Sequence, residues 1–353
     1  METVVVATAQ QQMRLFQSPE DYRRELARFM QIAQAKGAEL VVFPALSGIP
    51  AASPLMDGFR VRLLRRAGGG RRNTSALDRA RRALAGSTAE MLRANFRRPY
   101  RELLASDSRA VEDAYDEVFR PLAQSYGITV VAGSAHLPAA EGSLRHAAVV
   151  FGPDGQRLGR HDKVILSPGE DGWVQPGDGW SAVETPAGQL GLVFGEEVKY
   201  PEIGRLLTQQ GAGLIVALCV ASDEAMVAEL RLAAIARAQE NLCCVITSYP
   251  VGSDYLAADE DGARVLVGRS GIYAPLAQTP RFSGALVEMG ATSTEGLLTG
   301  ELDGATMAQR REQHAEERDR VVALVQARPS LLVADEEGEE SHTLLDEGLD
   351  ADD

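Results

Sequence analysis

Apolar and polar positions along this chain switch repeatedly between a period of two and a period near 3.6. Val4-Val5-Val6-Ala7-Thr8-Ala9-Gln10 is a β-branched run that reads as a first strand. Ser18-Pro19-Glu20-Asp21 then predicts a helix start, with serine as N-cap, proline at the first position and acids in the first turn. Tyr22, Leu26, Phe29, Met30, Ile32 and Ala33 follow at helical spacing, and Gly37 is the predicted C-cap. Leu40-Val41-Val42-Phe43 and Ile128-Thr129-Val130-Val131-Ala132-Gly133-Ser134 read as strands. Arg145 to Phe151 and Gln156 to Lys163 read as a hairpin turned by Gly152-Pro153-Asp154-Gly155. Further on, Gly191-Leu192-Val193-Phe194 is a buried strand that turns sharply through Gly195, Glu196 and Glu197, and Tyr200-Pro201-Glu202 opens the next helix. Strand, tight turn and helix are the geometry of a nucleophile elbow, although Gly195 carries no side chain. Gly213 to Cys219 is another strand, Glu224 to Asn241 a helix, Cys243 to Ser248 a strand and Thr306 to Gln326 a charged helix. Strands that alternate with helices predict an α/β fold.

The chain has 353 residues, 45% hydrophobic and 24% charged, an ordinary globular balance. A formal charge of -14 argues against a general nucleic-acid binder. Cys219, Cys243 and Cys244 have no zinc-ligand spacing and read as buried thiols of a reducing cytoplasm, so the expectation is no metal and no cofactor. Met1-Glu2-Thr3 runs straight into a strand, which leaves no signal peptide, and no apolar run approaches the ~20 residues of a membrane span. Two segments depart from this balance. Thirteen arginines fall between Arg60 and Arg101, within a helical insert over 51–117. That insert reads either as a solvated excursion covering a sheet edge or the mouth of a site, or as a basic surface for an anionic membrane. Ten acids follow Ala334, and residues 331–353 read as a disordered acidic tail behind a domain over 1–330.

Several of these stretches together resemble the carbon–nitrogen hydrolase (nitrilase/amidase) superfamily. Glu197, Tyr200, Pro201 and Glu202 match the family's nucleophile segment, and Gly195 stands where the family has its catalytic cysteine. Phe43-Pro44 matches the element that precedes the family's general-base glutamate, a position held here by Ala45. Lys163, at the end of the hairpin, matches the catalytic lysine. Ser167-Pro168-Gly169-Glu170 resembles a loop that carries a second glutamate near that lysine. Arg237-Ala238-Gln239-Glu240-Asn241, Gly268-Arg269-Ser270-Gly271-Ile272 and Arg328-Pro329 resemble later family motifs, so the resemblance covers about 1–50 and 120–330. It implies a four-layer α-β-β-α sandwich and a homodimer.

The family's reaction needs a cysteine to attack carbon, a glutamate to carry its proton, and a lysine with a backbone N–H to hold the oxyanion. Carried over residue by residue, only Lys163 remains, with Glu170 as a second acid and the Glu196 N–H as a candidate oxyanion donor. Losing such a group in a comparable hydrolase costs on the order of 10⁶ in turnover. The expectation is therefore a family member without C–N hydrolase activity that binds a small molecule or a protein. The alternatives are an amide hydrolase with a rearranged site and association with an anionic surface through the insert. Lys163 is expected either to pair structurally with Glu170 or Glu197, or to join Glu196 and Glu197 around a small amide, carboxylate or phosphate. Cys219 is the thiol placed nearest to the elbow, and its sequence neighbours do nothing to activate it.

Overall fold

The computed structural model describes residues 3–56, 96–256 and 264–327. Most of the Arg-rich stretch, at 57–95, and the acidic tail lie outside the described residues. One compact unit runs to Ala308. A second begins at Gln309; it holds the end of a helix over Gly304–Gln313 and a helix over Ala315–Gln326, which divide the expected helix over 306–326 at His314.

The first strand, β1 (Thr3–Met13), lies in the middle of a sheet ordered β5-β4-β3-β2-β1-β9-β8-β7-β6. Here β2 is Leu40–Val42, β3 Thr129–Pro138, β4 Leu144–Phe151, β5 Arg157–Asp162, β6 Ala182–Thr185, β7 Gly188–Phe194, β8 Leu214–Leu218 and β9 Cys244–Ser253. The pairs β1–β2, β2–β3, β7–β8 and β8–β9 are parallel and need helical crossovers. These are α1 (Pro19–Ala35), α3 (Arg97–Tyr126), α4 (Pro201–Gln209) and α5 (Glu224–Asn241), with a short α2 (Gly48–Ala52) between β2 and α3. Two helix starts predicted from sequence are made: Ser18 Oγ accepts the Asp21 N–H as the N-cap of α1, and Pro201 occupies the first turn of α4.

Alternation along the strands divides the core into three. Val4, Val6, Leu40, Val42, Val131, Ala148 and Val150 pack against Leu190, Leu192, Phe194, Val216 and Ile246, so two halves of the sheet face one another. Ala7, Ala9, Val41, Val130 and Ala147 point the other way, onto α1 and α3. Val193, Ile215, Ala217 and Val245 point onto α4 and α5. The result is the four-layer α-β-β-α sandwich that the family resemblance implies. Strands that the apolar pattern did not announce complete it: β6, β10 (Val265–Leu266), β11 (Gly271–Tyr273), β12 (Ala285–Glu288) and β13 (Gly296–Asp303). The last pairs antiparallel with β1 along its length.

Candidate functional site

The site lies in the inter-sheet layer, where the ends of β3, β4, β5 and β7 meet. A bulge in β3 creates it. Val131 pairs with Val150 and Ser134 with Ala148, so Ala132 and Gly133 together oppose one residue of β4. Gly133 takes φ +72, and a Cβ there would lie 2.1 Å from the Pro44 carbonyl oxygen, so only glycine fits. The extra residue inverts the parity of the strand. Ser134 and His136 therefore face the same layer as Val131, while Ala135 and Leu137 turn onto the helices. His136 pairs directly with His146 on β4, and the two rings stack with centroids 4.7 Å apart.

Glu170, in the loop after β5, closes this group. Its Oε1 accepts from His146 Nδ1 and lies 3.7 Å from His136 Nε2. Its Oε2 accepts from Lys163 Nζ at 2.6 Å and from the Ser167 N–H at 2.8 Å. Lys163 Nζ also donates to Ser167 Oγ at 2.6 Å. Of the two partners expected for the lysine, Glu170 is the one that holds it. Burial alone would raise the Glu170 pKa, but His146, His136 and Lys163 outweigh burial and hold the carboxyl well below the usual carboxylate range. Burial has the opposite consequence for His136, whose pKa is lowered to about 4 in spite of Glu170, so its ring is neutral at pH 7. The other nitrogen of each ring meets a hydroxyl: Ser134 Oγ is 2.7 Å from His146 Nε2, and Tyr100 OH is 3.3 Å from His136 Nδ1. Tyr100 belongs to α3, so the end of the expected insert does reach the site. The Trp173 ring packs at a tilt against His136, with the Arg101 guanidinium 5.0 Å from its centroid.

Ala45 and Gly195, which the resemblance assigns to the base and the nucleophile, border the same layer. Ala45 is fully buried in the inter-sheet core with Phe194. Leu46, next in sequence, sits at φ 63, an uncommon conformation for leucine, and its N–H donates to Ser134 Oγ at 2.9 Å. Phe194 lies with its centroid 5.9 Å from Lys163 Nζ and 4.7 Å from the His146 ring. Gly195 opens a 3₁₀ turn over Gly195–Lys199, and a Cβ on it would stand 3.3 Å from Cys219 Cα. Cys219 is thus beside the elbow, but it is fully buried, and burial pushes its thiol up to about 12.

Glu196 and Glu197 part company in the turn. Glu196 turns to Lys199, at 2.7 Å. Glu197 is fully buried and accepts from the N–H groups of Phe194 at 2.8 Å, Val164 at 2.8 Å and Ile165 at 3.0 Å, so it ties the elbow to the residues after Lys163. Neither ion-pairs with Lys163, whose carboxylate partner is Glu170. Sequence reasoning missed Ser134, His136, His146 and Tyr100. The available signals were Gly133, the i, i+2 pair Ser134 and His136, and the hairpin register that sets His146 opposite His136.

The sequence model of carbon-nitrogen hydrolase matches residues 5–312. This chain belongs to the carbon–nitrogen hydrolase family. An omega-amidase of Xenopus laevis is 29% identical over 207 residues, which cover 56% of this chain and 69% of that protein. A deaminated glutathione amidase of Synechocystis sp. (strain PCC 6803 / GT-S) is 27% identical over 181 residues, 46% of this chain and 65% of that protein. Among solved structures, a carbon–nitrogen hydrolase from Helicobacter pylori G27 aligns with a TM-score of 0.65 at 18% identity, over 92% of this chain and 98% of that one. At that identity the likeness concerns the fold alone. Among the described residues, no helix is long and apolar enough to cross a membrane.

Proposed function

We propose that this carbon–nitrogen hydrolase family member does not cleave C–N bonds and serves instead as a binding protein, for a small molecule or a protein partner. The observation that carries this reading is the chemistry at Ala45 and Gly195, where neither residue offers a base or a nucleophile. Cys219, the thiol beside Gly195, is held protonated by burial at physiological pH and cannot stand in. Lys163 is already neutralised by Glu170. The relatives named as amidases make an amide the first ligand class to try, with carboxylates and phosphates beside it. The test is a thermal-shift screen of those three classes on the full chain, run in parallel with an ammonia-release assay on amides and nitriles. A ligand that raises the unfolding temperature without ammonia release is the expected result. Ammonia release that vanishes in Lys163→Ala would overturn the proposal.

A second reading, an amide hydrolase with a rearranged site, is favoured by one geometric fact. Ser134 Oγ, His146 and Glu170 form a continuous hydrogen-bonded chain of the hydroxyl–imidazole–carboxylate kind. Against it, Ser134 is fully buried and its Oγ already accepts the Leu46 N–H. The two readings separate on Ser134→Ala: ammonia release by the parent chain that is lost in this variant selects the rearranged hydrolase.

A further inference from the structure

We infer that His136, His146 and Glu170 form a binding site for one zinc-class divalent transition metal. The inference does not depend on whether an amide is cleaved. The three residues each offer one ligand atom, and these atoms lie within 4.8 Å of one another in a buried setting. The hydrogen bonds identify which atoms. His136 Nδ1 is engaged by Tyr100 OH and His146 Nε2 by Ser134 Oγ, which leaves His136 Nε2, His146 Nδ1 and Glu170 Oε1 to converge. Two imidazoles and one carboxylate are a donor set suited to zinc and its neighbours in the first transition row.

A second observation points to a ligand independently. His136 is fully buried, and its Nε2 has no hydrogen-bond partner although it is aimed at Glu170 Oε1, 3.7 Å away. An unpaired buried polar atom is costly, because it has given up water and gained no partner. A metal between the two atoms would satisfy it. Zinc–nitrogen and zinc–oxygen bonds of about 2.0–2.2 Å put tetrahedral ligand atoms roughly 3.3–3.5 Å apart, close to that separation. His146 Nδ1 now donates to Glu170 Oε1, so this contact must open, and Nδ1 must present its lone pair. The Ser134 hydroxyl at Nε2 then provides an acceptor for the proton that stays on the ring. Metal-binding histidines are ordinarily oriented in this way, by a partner on the second nitrogen.

Lys163 is the main opposing charge. Glu170 separates the two cations, because Oε2 holds the ammonium while Oε1 is the metal-facing atom. Cysteine spacing carries no sign of this site, because His136 and His146 are brought together only by the strand register after the bulge.

The test is titration of the full chain with Co(II) alone, followed by visible absorption, then competition by Zn(II) and by Mg(II). Expected are saturation at one equivalent with ligand-field bands, displacement by Zn(II) and no displacement by Mg(II), which prefers oxygen ligands. His136→Phe keeps a ring against Trp173 and removes a ligand, so binding should weaken by 100-fold or more. Tyr100→Phe removes only the hydroxyl behind His136 Nδ1, and an outer partner of this kind is worth about 10–100-fold in affinity. It also guards against misfolding of the first variant, because a buried Tyr→Phe change preserves volume. Absence of ligand-field bands, displacement by Mg(II), or unchanged affinity in Tyr100→Phe would overturn the assignment and mark any binding as adventitious attraction to an acidic protein.

Discussion

Replacing Glu197 tests whether the elbow and the Lys163 loop are held together by one buried carboxylate. Its Oε2 accepts from the Phe194 N–H, and its Oε1 from the N–H groups of Val164 and Ile165. His161 Nε2 stands 3.5 Å from Oε2. In Glu197→Gln the amide oxygen can keep Val164 and Ile165, but its NH₂ then faces the Phe194 N–H, donor against donor. Loss of one hydrogen bond to a charged acceptor, with a buried donor left over, amounts to about 2–4 kcal/mol. Glu197→Ala strands all three donors. Val164 and Ile165 are half-buried and can recruit water, so the total should reach about 4–5 kcal/mol and not three full penalties. At roughly 2 °C per kcal/mol for a long chain, the glutamine variant should melt about 4–8 °C below the parent.

The sign of the pH dependence gives a second check. Burial would raise the Glu197 pKa, but the His161 ring and the backbone N–H groups outweigh burial and hold it below its ordinary value of 4.5. A carboxylate with a depressed folded-state pKa adds stability that is fully present above the unfolded-state pKa. That stability is lost as pH falls through the folded-state value. The stability gap between the parent and Glu197→Gln should thus be flat above about pH 5 and shrink below it. Equilibrium denaturant melts between pH 3 and pH 8 measure this. A gap under about 0.5 kcal/mol, or one that does not change down to pH 3, would refute the role given to Glu197.

Two further outcomes follow from the same geometry, and a third from the opposite charges of the Arg-rich insert and the acidic tail. Because burial pushes the Cys219 thiol up to about 12, iodoacetamide at pH 8 should leave Cys219 unlabelled in the folded chain and label it in denaturant; rapid native labelling would contradict the core assignment. Gly195→Cys puts a Cβ 3.3 Å from the backbone Cα of Cys219, so it should cost about 1–3 kcal/mol in a denaturant melt, and a neutral result would mean that the turn has more room than described. Deleting residues 335–353 removes ten acids and should strengthen binding to anionic liposomes at low salt more than at physiological salt; equal binding with and without the tail at both salts would uncouple tail from insert.

What the sequence made legible divides along physical lines. Helix α5 is read from sequence over Glu224 to Asn241, ending on the motif Arg237 to Asn241, and the structure gives the same bounds, with Asp223 accepting the Met226 N–H at one end and a left-handed Leu242 at the other. The start of α1 was legible because its cap is local, since Ser18 reaches Asp21 within one turn. Strand β13 escaped notice because Gly296–Asp303 is mostly half-buried, so its pairing to β1 is set by a partner nearly three hundred residues away and not by an apolar run of its own. Lys163 and Glu170 were found through resemblance, and the structure brings them together at 2.6 Å.

The histidines were not found, for a reason that the bulge explains. Counting by two from Val131 along an undisturbed strand puts Ala135 and Leu137 in the inter-sheet layer and His136 against the helices. The extra residue at Gly133 reverses that assignment for every position after it. One glycine, forced by the Pro44 carbonyl, thereby decides whether Ser134 and His136 face the helices or form the walls of the site. A Gly133→Ala change would act through the same lever. Its Cβ would collide with that carbonyl in a conformation that L residues rarely adopt, so its first effect should fall on the Ser134–His146–Glu170 chain and not on the core of the helical layer. Sites of this kind are invisible to periodicity because they exist where periodicity is broken.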